Sequence, residues 1–253
     1  MFKPAAVIPV YNHERRVGEV VQALLELDLP CVLVNDGSNE VCSDVLRTIA
    51  QAHAGKVYLY EHANNQGKGG AISTGLRAAK ALGFSHAVQV DADGQHNLAD
   101  IPLFLIQAAR QPNALICGYP VYDDSVPKHR LYARYLTHVW IWINTVSLRI
   151  KDSMCGFRVY PLSSVVALID RERMFARMSF DPEVLVRADW SGIAIVNTPT
   201  KVHYPEDGVS HFLAFKDNAL ISLMHTRLFF GMLWRFPRLL HRFFRDKPLY
   251  AKD

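Results

Sequence analysis

Two aspartates separated by one residue, Asp91 and Asp93, are the strongest candidates for chemistry in this chain. They follow a strand-like run, His86 to Val90, and residues i and i+2 of a strand point to the same face, so both carboxylates can approach one point. Such a pair suits Mg²⁺ or Mn²⁺, which one or two carboxylates hold together with water and substrate phosphates. Gln95 continues the spacing and adds a carbonyl oxygen. A solvated turn explains the same residues when they are taken alone.

A glycine-rich segment, Asn65 to Ala71, is the second candidate. Glycines allow a ligand to approach the backbone, the helix that follows offers its N-terminus, and Lys68 adds positive charge for a phosphate. The segment is not a Walker P-loop, because no glycine stands five residues before Gly67 and Gly69 occupies the Ser/Thr position. Contact with a phosphate is slightly favoured over a plain turn.

A third polar loop, Asn35 to Ser38, follows an apolar strand and precedes a helix. Its aspartate, Asp36, is able to accept hydrogen bonds from a base or a ribose. A turn explains the glycine, however, and a helix cap explains the Ser or Asn. The structural interpretation is therefore the better one for this loop alone.

Short apolar runs rich in β-branched residues alternate with segments of helical period through the first half, which predicts an α/β fold with a mostly parallel sheet. One helix stripe consists of Val41, Val45, Leu46 and Ile49. Open sheets of this kind bind ligands beyond the carboxyl ends of their strands, so the polar loops should share one edge. The expected strands are Ala5–Val10, Cys31–Asn35, Lys56–Glu61, His86–Asp91 and Ala114–Tyr119.

Composition limits the class of protein. The chain has 253 residues, half of them hydrophobic, which is enough for one substantial core, and its net charge of +4 gives no argument for nucleic acid. Four dispersed cysteines indicate reduced, structural thiols and a cytosolic compartment. The first residues lack the features of a secretion signal. The charge-free stretch from Tyr135 to Leu148 falls short of the roughly 20 residues that a spanning helix needs.

Taken together, the order and spacing of these motifs resemble the family 2 glycosyltransferases of the GT-A fold, nearest to the branch of dolichyl- and polyprenyl-phosphate sugar synthases. The resemblance covers roughly residues 5 to 211. The motifs that carry it are Val7–Asn12, Asn35–Ser38, Asn65–Gly69, Asp91–His96, Asp152 with Cys155–Arg158, and Phe180–Glu183.

The resemblance implies an enzyme that uses a nucleoside-diphosphate sugar and Mg²⁺ or Mn²⁺. Asp91, Asp93 and Gln95 are then the metal residues. The residues implied at the nucleotide sugar are Pro9, Tyr11, Asn12, Glu14, Asp36, Gly67, Lys68, Asp91, Ala92 and Asp93.

Two departures from the family pattern concern the donor and the acceptor. Members of the family often have Glu directly after Tyr-Asn, whereas here His13 occupies that position and Glu14 comes one residue later. The contact of this glutamate with the donor is therefore displaced by one residue. In the late motif, Pro205 and His211 replace the Arg and Lys that are associated with gripping a phosphate. Because the loss of these two cations weakens a phosphate site, a lipid hydroxyl or another lipid-linked group stands beside a lipid phosphate as the predicted acceptor. The candidate acceptor residues are Arg130, Arg158 and His211, although either arginine equally fits a surface ion pair.

The acceptor decides whether the reaction needs a base. A phosphate is already anionic, whereas a hydroxyl must lose a proton to a carboxylate. Asp181 is the candidate base, with Asp152 second. The alternative for Asp181 is that Asp-Pro-Glu simply begins a helix, where proline and acids are both favoured.

The C-terminal segment, residues 212–253, interleaves aromatic and basic residues and is predicted to form amphipathic helices beside a catalytic domain of residues 1–211. This composition favours a helix in a membrane interface. A helix packed on the core, or a dimer interface, is the alternative. The membrane is the preferred interpretation, because packing alone does not require six cations between Arg227 and Lys247. Aromatics between Tyr132 and Trp142 provide a possible second contact.

The predicted protein is thus an inverting glycosyltransferase bound peripherally at the cytoplasmic face of a membrane, as a monomer or an oligomer. A nucleotidyltransferase is a second hypothesis, since it also builds a metal site on an α/β sheet. A membrane-associated module that binds nucleotide sugars without turnover is a third.

Overall fold

Strands and helices alternate along the chain in the computed structural model, which describes residues 1–121, 128–201 and 214–245, without the side chains of residues 128–133 and 214–216. The strands are β1 (Pro4–Val10), β2 (Cys31–Asn35), β3 (Val57–Glu61), β4 (His86–Gln89), β5 (Leu115–Val121), β6 (Arg158–Pro161) and β7 (Ile195–Lys201). The helices are α1 (Val17–Glu26), α2 (Glu40–Ala52), α3 (Lys68–Ala81), α4 (Ile101–Arg110), α5 (Lys128–Thr145), α6 (Leu162–Arg171), α7 (Phe180–Trp190) and α8 (Ala214–Arg245).

The strands form one sheet in the order β3-β2-β1-β4-β6-β5-β7. All neighbours run parallel except β6, which lies antiparallel between β4 and β5. The predicted α/β fold is confirmed, and the five expected strands are present, with no end shifted by more than two residues. The reversed strand β6 was not predicted.

Helices cover both faces of the sheet, as the alternation of strand side chains requires. Val7 of β1 packs with Ile72 and Leu76 of α3, in a core that also contains α6 and α7. Its neighbour Ile8 packs on the other face with Val17 of α1 and Phe104 of α4. The sheet is therefore packed between two apolar layers, one on each face.

The stripe predicted for α2 is only partly correct. Val41 is 64% exposed, whereas its neighbour Cys42 is fully buried. Asn39 caps the helix by accepting a hydrogen bond from the Cys42 amide, and this start sets which side of the first turn faces the sheet. All four cysteines are buried and free, as expected.

In its described part, residues 214–245, the C-terminal segment forms one helix, α8, of 32 residues. Met224, Leu228, Met232 and Leu239 are buried in the same core as α7, so one face of α8 packs on the domain. Arg242 donates a hydrogen bond to the Asp189 carbonyl at 2.6 Å and also pairs with its carboxylate. The expectation that packing does not require the cations is therefore wrong for Arg242. Within the described ranges, no helix is both long and apolar enough to cross a membrane.

Candidate active site

Three charged side chains meet where β4, α3 and α7 converge at the carboxyl edge of the sheet. The Lys68 ammonium, on the first residue of α3, lies 2.8 Å from Oδ2 of Asp91 and 3.4 Å from Oδ2 of Asp181. Asp91 follows β4, and Asp181 lies in the first turn of α7. The sequence predicted all three as site residues, but it did not predict that the lysine joins the two carboxylates.

The charges of this cluster stabilise one another. Burial by itself lowers the pKa of Lys68, but the nearby Asp91 and Asp181 carboxylates outweigh it and hold that pKa well above its ordinary value. Burial likewise raises the pKa of Asp91, whereas the adjacent Lys68 ammonium outweighs burial and lowers that pKa to about 2. Both groups are therefore charged at neutral pH.

Asp91 retains one unused acceptor. Its Oδ1 is buried and has no hydrogen-bond partner among the described residues, and leaving a charged oxygen in that state is costly unless a ligand or ion completes it. The Asp91 amide donates to Nδ1 of His96 at 3.3 Å, which places the His96 proton on Nε2. The ring of His96 stacks on Phe157 at 5.0 Å, and burial lowers its pKa. His96 is therefore an uncharged ring at neutral pH. It accepts a hydrogen bond from the Asp91 amide and so holds the backbone at Asp91 in place.

The residues after Asp91 form a turn that leaves Asp93 half-buried. Gly94 has a φ of 73°, and the Gln95 amide donates to Oδ1 of Asp93 at 3.0 Å. The turn interpretation and the metal interpretation are thus compatible. Arg16, which the sequence did not single out, lies beside Gly94: a Cβ at that position would be 3.9 Å from its Nη1.

A divalent cation fits the chemistry of these donors. Asp91 and Asp93 offer hard carboxylate oxygens, and Oδ1 of Asp91 has no partner within the described ranges. In the described part of the chain, no group of three or more His, Cys, Asp or Glu side chains is placed to hold a metal. A cation here would need water or substrate phosphates to complete its shell, as Mg²⁺ commonly does.

The carboxylate of Asp36 is hydrogen-bonded to the loop that precedes α3. Its Oδ1 accepts hydrogen bonds from the Gln66 amide and from Nδ1 of His62, each at 2.8 Å, and its Oδ2 accepts one from the Gly67 amide at 2.8 Å. The anionic group at the start of α3 is therefore the carboxylate of the protein itself. A role for Asp36 at the nucleotide stays a prediction.

The glycines of this loop serve close packing within the protein. A Cβ on Gly67 would lie 2.8 Å from the Ala176 carbonyl oxygen, and one on Gly69 would overlap Phe180. The Gly70 amide donates to Ala176 as well. The glycines thus allow close contact between α3 and the segment before α7, which brings Lys68 to Asp181, and contact of Gly67 with a ligand stays a prediction. Contact of Lys68 with a phosphate stays a prediction.

The predicted nucleotide residues after β1 lie beside the loop that contains Asp36. Asn12 has a φ of 55°, its amide donates to Oγ of Ser38, and its side-chain oxygen accepts from the Asn39 amide. Pro9, Tyr11 and Glu14 are half-buried nearby, and Oε2 of Glu14 is buried with no hydrogen-bond partner in the part of the chain that the structure describes. Ala92 is buried. Donor contacts at these positions remain untested.

Asp152 is an anchor between α5 and the chain before β6. Arg134 donates to both of its oxygens at 2.5 and 2.7 Å, and Nε2 of His138 lies 3.1 Å away. The Met154 and Cys155 amides donate to its Oδ1. Burial raises the pKa of Asp152, but His138 and Arg134 outweigh it and hold that pKa far below its ordinary value. This environment is unfavourable for a base and leaves Asp181 as the stronger candidate.

We expect Asp152→Asn to lower the free energy of unfolding by about 3 kcal/mol, because removing one partner of a buried ion pair leaves the other uncompensated. The native pKa of Asp152 lies below its unfolded value, so its contribution is complete above about pH 4 and is lost as the pH falls toward the native pKa. Urea unfolding between pH 7 and pH 3 should therefore show a shallower acid dependence for the variant than for the wild type. Asp170→Asn, at an exposed ion pair with Arg77, is the matched control. Equal acid slopes for Asp152→Asn and the wild type would contradict the anchor role.

Arg158 is fully buried, so the interpretation as a surface ion pair is wrong. Its guanidinium donates to the Asp181 carbonyl at 2.8 Å and to the Ser153 carbonyl at 2.7 Å, and it lies 3.6 Å from Oδ1 of Asp181. The antiparallel direction of β6 carries Arg158 under the site, where it pairs with Gln89 across the sheet. Contact between Arg158 and an acceptor stays a prediction. Arg130 and His211 lie outside the described side chains.

Two uncharged residues complete the floor of the site. Gln89 accepts a hydrogen bond from the Tyr160 hydroxyl at 2.8 Å and donates a longer one, 3.5 Å, to Asp181. A Cβ on Gly156 would lie 2.7 Å from Nε2 of Gln89, 2.9 Å from Nζ of Lys68 and 3.2 Å from Oδ2 of Asp91. Gly156 thus leaves the space that the charged cluster occupies. Its place in the Cys155–Arg158 motif was the one sequence signal for this role.

Comparison with known proteins gives the family of this fold and site. The family model described as glycosyl transferase family 2 matches residues 5–172. The chain belongs to this family. It is therefore a glycosyltransferase, and neither the nucleotidyltransferase nor the non-catalytic hypothesis is retained.

Relatives of this glycosyltransferase include enzymes named for dolichyl phosphate. A dolichyl-phosphate beta-glucosyltransferase of Trichomonas vaginalis is 27% identical over 202 residues, which are 72% of this chain and 60% of that protein. The UDP-N-acetylglucosamine–dolichyl-phosphate N-acetylglucosaminyltransferase of Methanococcus voltae is 26% identical over 215 residues, 79% of this chain and 85% of that protein.

Solved structures share the fold of this glycosyltransferase. Glucosyl-3-phosphoglycerate synthase from Mycobacterium tuberculosis, in complex with Mn²⁺ and uridine-diphosphate-glucose, has a TM-score of 0.63 at 13% identity and covers 92% of this chain and 79% of its own. TarS of S. aureus with UDP-GlcNAc has a TM-score of 0.59 at 13% identity, covering 97% and 73%. The predicted GT-A fold is confirmed.

We expect Gly156→Ala to lower kcat/KM for sugar transfer by about 100-fold, because the added methyl must displace Lys68 or Gln89 and small misplacements in an active site have effects of that order. Gly156 does not have a positive φ, so the effect should arise from crowding and not from backbone strain. Gly18→Ala is the matched control, since a Cβ there meets only Ile49 at 3.9 Å. Steady-state kinetics of both variants test the role, and wild-type kinetics for Gly156→Ala would exclude it.

Proposed function

We propose that this glycosyltransferase transfers a sugar, with inversion, from a nucleoside-diphosphate sugar to a polyprenyl phosphate at a membrane surface, with Mg²⁺ or Mn²⁺ bound at Asp91 and Asp93. The observation that carries the proposal is the cluster at the sheet edge, where Asp91 keeps a buried Oδ1 without a partner among the described residues, next to the half-buried Asp93. The names of the Trichomonas and Methanococcus relatives support the acceptor class.

The proposed role of the cation at the sugar donor follows from the negative charge of the departing diphosphate. A divalent cation, when bound, would offset the charge that develops on the departing nucleoside diphosphate. Asp91 and Asp93 would hold it, with Gln95 beside them. The Mn²⁺ and uridine-diphosphate-glucose complex of the Mycobacterium synthase supports this assignment. Arg16 lies beside the same turn and is a further candidate for a donor phosphate.

The acceptor half rests on the surroundings of Asp181. This carboxylate is 5% exposed and faces two cations, Lys68 at 3.4 Å and Arg158 at 3.6 Å. A phosphate acceptor needs no proton removed, so Asp181 would serve to hold Lys68 in place. A lipid hydroxyl would instead require Asp181 as its base. The position of Asp181 between two cations favours the phosphate.

The proposal is tested by incubating the purified full chain with radiolabelled UDP- and GDP-sugars, Mn²⁺, and either a polyprenyl phosphate or the matching polyprenol. We expect label in the lipid phosphate, release of a nucleoside diphosphate, and loss of both in chelator. Transfer only to the polyprenol, lost in Asp181→Asn, would overturn the phosphate acceptor. Full activity in chelator would overturn the cation.

The location remains part of the proposal. An acceptor with a polyprenyl chain resides in a bilayer, so the enzyme must meet a membrane surface. The cytoplasmic face and the oligomeric state are testable by fractionation and by light scattering.

A further inference from the structure

The side of α8 that points away from the domain is unusually apolar. Large side chains there are exposed to solvent, among them Trp234 at 87% and Phe230 at 66%. They recur at helical spacing opposite the buried Met224, Leu228 and Met232. This surface, called the α8 outer face, consists of Leu223, Phe230, Leu233, Trp234 and Phe244. Exposed apolar surface of this extent marks a binding site for another molecule.

The cations of α8 fall into two groups. Arg242 is engaged with Asp189, and Arg235 lies over the ring of Trp190 at 4.5 Å, so these two stabilise the fold. Arg227 and Arg238 are exposed and, by helical spacing, flank the outer face; the Arg227 guanidinium also lies 5.9 Å from the ring of Phe175. The only acidic residue of α8, Asp217, is buried and paired with Arg177 at 3.1 Å.

The aromatic surface continues onto α5. Trp140, 37% exposed, stacks against His225 at 5.9 Å and meets Phe229 edge-on at 6.2 Å. Tyr135 and Leu136 of the same helix are also exposed. Tryptophan and tyrosine are enriched where a protein meets the headgroups of a bilayer.

We propose that the α8 outer face binds the surface of an anionic lipid bilayer, with Phe230 and Trp234 inserted and with Arg227 and Arg238 at the headgroups. Apolar side chains flanked by cations, on a helix without an exposed acid, are complementary to anionic lipid. A second copy of the chain is a poorer partner, because a symmetric contact would bring the arginines of both copies together. The need for a membrane at this site rests on the proposed function. The position of the membrane contact rests on the exposed side chains and the charges of α8.

The test is cosedimentation of the full chain with vesicles of phosphatidylcholine, alone or mixed with phosphatidylglycerol. We expect binding to the mixed vesicles that weakens with salt. Combining Phe230→Ser with Trp234→Ser should reduce binding at least tenfold on both vesicle types. Arg227→Gln with Arg238→Gln should reduce it on the anionic vesicles alone. The matched control is Leu103→Ser with Ile106→Ser, which removes two exposed apolar residues from α4.

A second measurement does not depend on the folding of the serine variants. Brominated lipid should quench the tryptophan fluorescence of the wild type, and Trp234→Phe should lose most of that quenching. Unchanged quenching in Trp234→Phe, or vesicle binding equal to wild type in the double serine variant, would overturn the proposal. A dimer that dissociates in the double serine variant, in place of vesicle binding, would assign the face to a second copy.

Transfer assays separate this inference from the proposed function. The double serine variant should lose transfer to polyprenyl phosphate embedded in vesicles and keep transfer to a short-chain, water-soluble analogue. Normal vesicle binding without transfer to either acceptor would support the membrane face and overturn the proposed acceptor.

Discussion

Asp93→Asn is expected to lower kcat/KM for sugar transfer by about 10³-fold, because removing a group that stabilises transition-state charge has an effect of that order. Asparagine keeps the oxygen that accepts from the Gln95 amide, so the turn should persist. The measurement is initial-rate kinetics with saturating Mn²⁺ and Mg²⁺ in parallel. Electron paramagnetic resonance of Mn²⁺ should show weaker binding by the variant, independently of turnover.

The control for this prediction is Asp170→Asn, which removes a carboxylate from an exposed ion pair remote from the sheet edge. It should leave kcat/KM within about twofold of the wild type, since exposed pairs contribute little. Activity of Asp93→Asn at the wild-type level, or Mn²⁺ binding that does not change, would remove Asp93 from the metal site.

The sheet and the edge that holds the site were predictable because they follow from local patterns. The run His86–Val90 ends in Asp91 and Asp93 and is preceded by three similar strand-and-loop units. Parallel strands bring their carboxyl ends to one edge whatever the exact strand boundaries are. Errors of one or two residues at the ends therefore did not affect the prediction of the edge.

The partners within the site were not predictable, because they lie far apart in the sequence. Lys68 contacts Asp91, 23 positions later, and also Asp181. Asp36 binds His62 and the amides of the glycine-rich loop. Nothing in Asn-Asp-Gly-Ser distinguishes a carboxylate that binds a ligand from one that caps a loop. The sequence therefore supplies candidates, and the fold decides which of them meet.

Arg158 illustrates a second limit. A charged side chain is rarely buried unless it is paired, so a surface position was the reasonable alternative. Its burial depends on β6 running antiparallel between β4 and β5, and no local pattern gives the direction of that strand. The α8 cations have the same ambiguity, because Arg242 and Arg238 differ in what they contact and not in their spacing.

Lys68→Met is expected to lower kcat/KM by about 100-fold and the free energy of unfolding by about 3 kcal/mol, because it removes the cation between two largely buried carboxylates. The same change should strengthen Mn²⁺ binding to the free chain, since Oδ2 of Asp91 no longer pairs with an ammonium at 2.8 Å. Tighter metal binding with slower turnover is not expected from a residue that only supports the fold. Mn²⁺ resonance titration and kinetics on the same preparation measure both.

Lys68→Arg should not rescue the activity, although it keeps the charge. The ammonium lies 2.9 Å from where a Cβ on Gly156 would be, so the floor of the site has no room for a guanidinium. Lys80→Met, on the exposed side of the same helix, is the matched control and should behave as the wild type. Full activity of Lys68→Arg would mean that any cation suffices at this position, whereas weaker Mn²⁺ binding in Lys68→Met would mean that the lysine orders Asp91 for the metal and does not compete with it.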